Sequence, residues 1–456
     1  MNKNDIVQLK IEKFKTLNRT LGYCENIPVF LKGGMPGQVV EAEIKRKRSN
    51  VCEADLINVV APADYERVTS CASHNICNGC SYLSMPYEMQ IKFKEDYILN
   101  LFKENNIQYK NYLGFLSSPE IYAYRNKMEF AFGNSQKGQP VTAGLHVKNN
   151  IYDIISAESC ELIDDDFQTI LTGIIKHCRD KNYTYYYRRS HKGLLRHLIL
   201  RKGVYTSQIM VNIVITSQES FDEQSFTDML LSLKLDKKIA SVICTINDSV
   251  SDFIHAEDIR VLYGVDYIEE KCFDKTFIIS PFSFYQTNSK AAEALYGVCI
   301  DMLKDKHCDV LFDLYCGTGT IAQMLAGSAK KVIGVEIIEE AVQSARQNAK
   351  LNDINNCSFI CGDVLKVIDE IQQKPNIVVL DPPRSGIHPK ALAKIADYNS
   401  QHILYVSCNP TTLIKDLQYL TEHGYKIDKL AAVDMFPHTP HVEVCCLLQY
   451  MGSLHE

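Results

Sequence analysis

Asp313-Leu-Tyr-Cys-Gly-Thr-Gly-Thr-Ile-Ala322 is the stretch on which the fold turns. It follows the apolar run Val310-Leu311-Phe312 and opens a helical stretch, and Gly317 and Gly319 allow a tight turn that brings backbone against a ligand. Glu336 stands 19 residues beyond Gly317, where an acid closing a second strand can accept both hydroxyls of a ribose. Outward from this loop, Lys331 to Glu336, Ser358 to Ile360, Ile377 to Leu380 and Ile403 to Val406 read as strands, alternating with helical stretches such as Glu339 to Leu351. From about residue 281 this rhythm predicts an α/β, doubly wound, Rossmann-like parallel sheet.

The loop alone leaves the cofactor open. Gly317 to Ala322 fits G-x-G-x-x-A, so a nicotinamide dinucleotide competes with S-adenosylmethionine, and a bare glycine turn is the blander alternative. The ends of the later strands weigh against a dehydrogenase. Asp381-Pro-Pro-Arg384 ends the fourth strand, and its prolines hold the backbone extended at the carboxyl edge of the sheet. Ser407-Cys-Asn-Pro410 ends the fifth, and Pro410 keeps Asn409 out of the helix, so Cys408 is predicted at the same rim. A lone cysteine is usually a buried small hydrophobe; its position raises Cys408 above that. In His441-Val-Glu-Val444, Glu443 sits on an apolar strand where a carboxylate needs a reason to be buried, unless it is exposed or salt-bridged.

These four motifs, in this order and spacing, resemble the RNA uracil-C5 methyltransferase family over nearly the whole chain. The resemblance implies methylation of a uridine at carbon 5, most consistent with 23S ribosomal RNA, with transfer RNA as the runner-up substrate. Pro281 to Asn288 resembles the family segment preceding the cofactor loop, which implies that Gln286 touches S-adenosylmethionine together with Tyr315, Gly317, Gly319 and Glu336. Gly362-Asp363 resembles the adenine-side acidic position. Asp381, grouped with the cofactor-binding residues, can also recognise the uracil edge.

The chemistry gives these residues work. Carbon 5 of uracil is a poor nucleophile, and addition of a thiolate at carbon 6 turns it into an enolate that can attack a sulfonium methyl. Cys408 is the candidate nucleophile, and Glu443 the candidate base for the proton that must then leave carbon 5. The target uridine is expected to be flipped out of its stack into the site.

Toward the amino terminus the pattern changes. Residues 1–62 read as short strands (Val7 to Ile11, Gln38 to Ile44, Cys52 to Val60) broken by Gly33-Gly34 and Pro36-Gly37, which predicts an OB-type β-barrel; the resemblance implies that it is a TRAM domain. Lys45-Arg-Lys-Arg48 is taken as a solvated turn, with RNA contact as the sharper alternative. Residues 63–280 are assigned to a central mixed α+β region for an iron-sulfur cluster and RNA, with an amphipathic helix over Pro86 to Asn105, and 281–456 to the methyltransferase domain. Cys71-x5-Cys77-x2-Cys80, with Cys160 further on, offers four thiolates. Zinc remains an alternative, but the x5 spacing and distant fourth ligand suit a 4Fe-4S cluster better, as the resemblance also implies for ribosomal-RNA members.

The formal net charge of -6 argues mildly against nucleic acid as partner, yet residues 1–62 carry ten Lys/Arg against seven Asp/Glu, so charge is segregated. Tyr183 to Lys202 holds six Lys/Arg, two histidines and four tyrosines without an acid, which suits phosphate contact and base stacking unless it is merely a solvated strand face. No stretch suggests an export signal or membrane span, and seventeen cysteines in such a long chain suggest reduced thiols, so a cytoplasmic, monomeric enzyme is expected.

Overall fold

The computed structural model describes residues 1–452 apart from 137, 149, 252 and 255. Strands Ile6–Thr16, Arg19–Cys24, Ile27–Lys32, Val39–Arg48 and Val51–Ala61 close into a barrel. Closure follows from period-two alternation, which turns Leu9 and Ile11, Val29 and Leu31, Val40, Ala42 and Ile44 inward. The predicted barrel is therefore present. The second and third strands escaped the sequence because they form a hairpin around Glu25 and Asn26, both at positive φ, too short for a periodic signal. Lys45 to Arg48 correct another expectation: they lie within a strand, and the turn falls at Ser49-Asn50. That strand runs past the barrel core, so all four basic side chains are exposed.

The central region is built on a seven-stranded sheet in the order Asp258–Gly264, Lys238–Ile246, Gln208–Ile215, Leu195–Gly203, Lys127–Gly133, Thr142–His146 and Ile154–Ser156. Helices Asp165–Asp180 and Glu223–Ser232 cover one face, burying Phe167, Ile170, Leu171, Ile174 and Phe226 against it.

The carboxyl-terminal sheet has eight strands in the order Cys357–Cys361, Ala329–Glu336, Cys308–Leu314, Ile377–Leu380, His402–Ser407, Glu443–Tyr450, Tyr425–Val433 and Tyr109–Leu116. The five strands from Cys357–Cys361 to His402–Ser407 are parallel, as the rhythm predicted, and Glu443–Tyr450 runs antiparallel to both neighbours. Successive residues feed opposite cores. Leu311, Val332, Val379 and Leu404 meet the helices Ser289–Leu303 and Glu339–Leu351, while Phe312, Ile333, Val378 and Ile403 meet Tyr87–Glu104, Pro389–Asp397 and Pro410–Glu422. Burial on both faces is why these strands read as continuous apolar runs.

One division differs from the linear reading. Tyr109–Leu116, within the stretch assigned to the central region, pairs in parallel with Tyr425–Val433. The preceding helix Tyr87–Glu104 buries Gln90, Lys94, Ile98 and Phe102, a stripe at four-residue spacing that packs under the carboxyl-terminal sheet. Chain order separates these residues from their partners by more than three hundred positions, and only packing reunites them.

Candidate active site

Parallel strands bring their carboxyl ends to one rim, and an antiparallel strand brings its amino end to the same rim. This places the site. Ser407 pairs with Val444, so Cys408 follows one strand at the level where Glu443 begins the next. Leu314 pairs with Leu380, so Tyr315 and Asp381 leave adjacent strands together.

The cofactor loop is held by its own backbone. Tyr315, Gly317 and Gly319 have φ of 70, 53 and 74°. A Cβ on Gly319 would stand 2.7 Å from the Phe359 ring and 2.9 Å from Ala345, so that glycine permits close contact of the loop with its neighbours; at Gly317 the space is open. Glu336 Oε2 accepts from the Gly317 amide at 3.0 Å, and Oε1 accepts from Ile337 and Ile338 amides at 2.8 and 3.0 Å, which fixes the carboxylate beside the loop. Asp363 caps the helix Val364–Glu370 by accepting from the Leu365 amide at 3.0 Å. Burial and then the nearby Asp363 push the Tyr315 hydroxyl up to about 12. Gln286 lies where its segment passes over the loop: its carbonyl accepts from Asn126 Nδ2 at 2.8 Å, and the Thr318 hydroxyl donates to the Phe284 carbonyl at 3.5 Å.

Across the rim, Asp381, Cys408 and Glu443 share one electrostatic neighbourhood. Burial pushes Asp381 up to about 7. Glu443 is 5% exposed, and burial, with the Asp381 carboxylate beside it, holds its proton well above the usual carboxylate range while Arg384 opposes this. Burial and then Glu443 raise the Cys408 thiol to about 11, again opposed by Arg384. Two carboxyl groups in a poorly solvated pocket cannot both ionise cheaply, so a proton is stored at the rim. The exposed Arg384 places Nη2 3.3 Å from the His441 ring nitrogens, and burial and then Arg384 lower His441 to about 4.

Two groups here had no role assigned from sequence. Asp313 is fully buried, neither carboxylate oxygen has a hydrogen bond of good geometry, and burial and then Asp381 raise it strongly. Arg384 is the cation facing both Cys408 and Glu443. Both belong to the family's sequence motifs, but their charge partners come from other strands. A third feature supports the rim from below. Lys94 and Asp434 form a fully buried ion pair at 2.8 Å, and Lys94 also donates to the Phe436 carbonyl at 3.3 Å. Gln90 donates to the His438 ring and accepts from its amide at 2.8 Å, and the Ser81 and Tyr82 amides donate to its carbonyl. The segment leading into Glu443 is thereby tied to the helix Tyr87–Glu104. A polar pair at i, i+4 within an apolar helical stripe was the sequence signal for it.

The four predicted ligand cysteines lie elsewhere, spread around one cavity. Cys71, Cys77, Cys80 and Cys160 line one cavity of about 310 Å3, with Arg125 and Lys127 in its wall. Among the described residues, no three His, Cys, Asp or Glu side chains gather closely enough to hold a metal ion. The Tyr183–Lys202 segment divides, which corrects the reading of it as one basic face. Arg196, Arg201 and Lys202 are buried and structural: Arg196 donates to the Asn247 carbonyl at 2.8 Å, Arg201 to the Ser283 carbonyl, and Lys202 to Asp164 at 2.7 Å. Arg189 and Lys192 remain exposed, with Arg188 half-buried.

Comparison with known proteins agrees with this geometry. The model of the tRNA (uracil-5-)-methyltransferase family matches residues 250–451. An RNA methyltransferase of Clostridium tetani is 44% identical, covering 100% of both chains, and one of Caldanaerobacter subterraneus is 40% identical over 98% of this chain and 100% of its own. The crystal structure of Pyrococcus abyssi tRNA (uracil-54, C5)-methyltransferase in complex with S-adenosyl-L-homocysteine superposes with a TM-score of 0.76 at 25% identity, covering 97% of this chain and 100% of that one. With the glycine loop, Glu336 beside it, and Cys408 and Glu443 at one rim, the chain belongs to the RNA uracil-C5 methyltransferase family, enzymes dependent on S-adenosylmethionine.

Proposed function

We propose that the enzyme methylates carbon 5 of a uridine in 23S ribosomal RNA through a covalent adduct between Cys408 and carbon 6. The observation that carries this is the facing of Cys408 and Glu443 across paired strand ends, with Asp381 and Arg384 beside them. Gln286, Tyr315, Gly317, Gly319, Glu336 and Asp363 hold the cofactor, whose sulfonium supplies the methyl group and a positive charge. Glu336 takes the ribose hydroxyls, and Asp363 the adenine side. Asp381 hydrogen-bonds the uracil edge. As the base enters, the Cys408 thiol and the Glu443 carboxyl, both held protonated by burial, release their protons to solvent, with Arg384 favouring the thiolate and the carboxylate. Sulfur adds to carbon 6, carbon 5 takes the methyl group, Glu443 removes the carbon 5 proton, and the sulfur–carbon bond then breaks to regenerate the thiolate. Shared placement at one rim supplies the alignment.

The four cysteines would hold a 4Fe-4S cluster. All four line one cavity, and the x5 spacing with a distant fourth ligand suits a cluster better than the paired C-x2-C knuckles of a zinc site. Burial and the nearby cations Arg125 and Lys127 suit an anionic cluster. We assign it a structural role, and place the enzyme in the cytoplasm as a monomer.

Transfer RNA is the second reading, favoured by the superposition with the Pyrococcus abyssi enzyme over 97% of this chain. That overlap takes in the barrel and the cysteine-bearing region, so their presence does not by itself exclude a transfer RNA substrate. Mass mapping of methylated uridines in ribosomal and transfer RNA from cells with and without the protein separates the two. Loss of a 23S methyluridine is expected; loss confined to transfer RNA would overturn the ribosomal assignment.

A further inference from the structure

Away from the rim, the central sheet carries a second concave surface. The hairpin Tyr187 to Lys192, closed by the Tyr187 amide on the Lys192 carbonyl at 2.8 Å, stands beside the loop that follows Thr142–His146. Between them lies a shallow pocket lined by His146, Tyr152, Tyr185, Tyr186, Tyr187 and Arg188. Its enclosed volume is about 30 Å3, too small for a whole nucleotide, so a planar ligand must lie against its aromatic margin. That margin is exposed: Tyr152 at 42% and Tyr187 at 40%. The Arg189 guanidinium lies over the Tyr152 ring, 4.3 Å from its centroid, and Lys192 is exposed at the far end of the hairpin. The Asp153 carboxylate beside this margin accepts from Asn150 Nδ2 at 2.6 Å.

We propose that this pocket is an RNA subsite taking one unpaired nucleotide of the substrate other than the target uridine, its base against Tyr152 or Tyr187 and its phosphate near Arg189 and Lys192. Aromatic faces with arginine beside them suit unstacked bases, and the hairpin is basic in a chain of net charge -6. Its separation from the catalytic rim follows from the strand Leu195–Gly203. The hairpin feeds its Leu195 end, while Arg201 near the other end donates to Ser283 in the segment leading to Gln286. Six residues of strand put about 20 Å between the two ends, so a single nucleotide cannot fill both. The cysteine loop braces the pocket: the Asn78 amide donates to the His146 carbonyl at 3.3 Å, the Lys148 amide to the Ile76 carbonyl at 2.8 Å, and Cys77 bridges to Val147.

The inference rests on the RNA methyltransferase assignment and is tested with the full chain and a labelled oligouridylate. Tyr152→Ala or Tyr187→Ala, whichever removes the stacking face, should weaken binding about tenfold, as loss of one stacked base predicts, while Tyr152→Phe and Tyr187→Phe bind as wild type. Cofactor affinity and the rate at saturating RNA should not change, and ultraviolet cross-linking should map to the peptides holding Tyr152 or Tyr187. Wild-type affinity in both Ala variants, or an equal loss in the Phe variants, would overturn the subsite. A wild-type protein that methylates RNA while these variants bind normally leaves the enzymatic assignment intact; one that methylates no RNA removes the assignment itself.

Discussion

Cys408 and Glu443 act at different moments of one reaction, so their variants should fail in different ways. Cys408→Ala cannot add to carbon 6, so it should bind RNA and cofactor yet neither methylate nor cross-link. Glu443→Gln keeps the nucleophile and loses the base, so it should transfer the methyl group and stall with RNA attached. On denaturing gels with label from the cofactor's methyl group, only Glu443→Gln should show a protein–RNA band; the same band from Cys408→Ala would name another nucleophile. Asp381 gives a prediction of a different kind. Its carboxyl is raised from 3.8 to about 7, so the folded protein binds more protons than the unfolded chain between about pH 4 and 7. Stability contributed by this group therefore falls as pH rises through that window and stays low above it. Asp381→Asn removes the penalty. Above pH 7 it should be more stable than wild type by a few kcal/mol at most and melt at a higher temperature, with the gain shrinking toward pH 4, while methylation is lost. A pH-independent difference in melting temperature would show that Asp381 is not the titrating group.

At the scale of elements, the glycine loop and the strands around it decide whether the cofactor has a seat. Gly319 combines φ of 74° with a Cβ clash at 2.7 Å against Phe359, whereas Gly317 at 53° faces open space. Gly319→Ala should therefore cost about 2 kcal/mol or more and abolish cofactor binding, while Gly317→Ala should cost about 1 kcal/mol, the left-handed backbone penalty alone. Denaturant titration and calorimetry with S-adenosylmethionine check both; equal losses would mean that contact with Phe359 and Ala345 is not what Gly319 provides. Element by element, legibility in the sequence tracks burial. Ile377–Leu380 and Glu339–Leu351 are legible to the residue, because a strand buried on both faces and a long amphipathic helix leave strong patterns. The hairpin strands Arg19–Cys24 and Ile27–Lys32 are not, since six residues around a tight turn are too few for a period to emerge.

The molecule as a whole has three parts: a barrel with an exposed basic strand end, a central sheet beside the cysteine cavity, and the sheet that carries Cys408 and Glu443. Anaerobically purified protein should be brown and contain about four irons per chain. Metal analysis decides this, and one zinc per chain would refute the cluster. The four cysteines were legible from spacing, but their convergence on one cavity needed the fold, because Cys160 arrives on a segment eighty residues from Cys80.

What the sequence determined by itself was local chemistry with a strong pattern: the glycine loop, the acid at Glu336, the strand–helix alternation, the barrel and the four motifs of the family. Each depends on residues close together in the chain, where steric preference and periodicity act directly. Tertiary structure alone decided which charges face each other. Arg384 opposing two raised groups, Asp313 sealed without a good hydrogen bond, Lys94 paired with Asp434 across 340 residues, and the division of the Tyr183–Lys202 basic residues between core and surface are all set by packing between distant segments. A side chain's charge is written in the sequence, but its desolvation and its partners depend on what the fold brings against it.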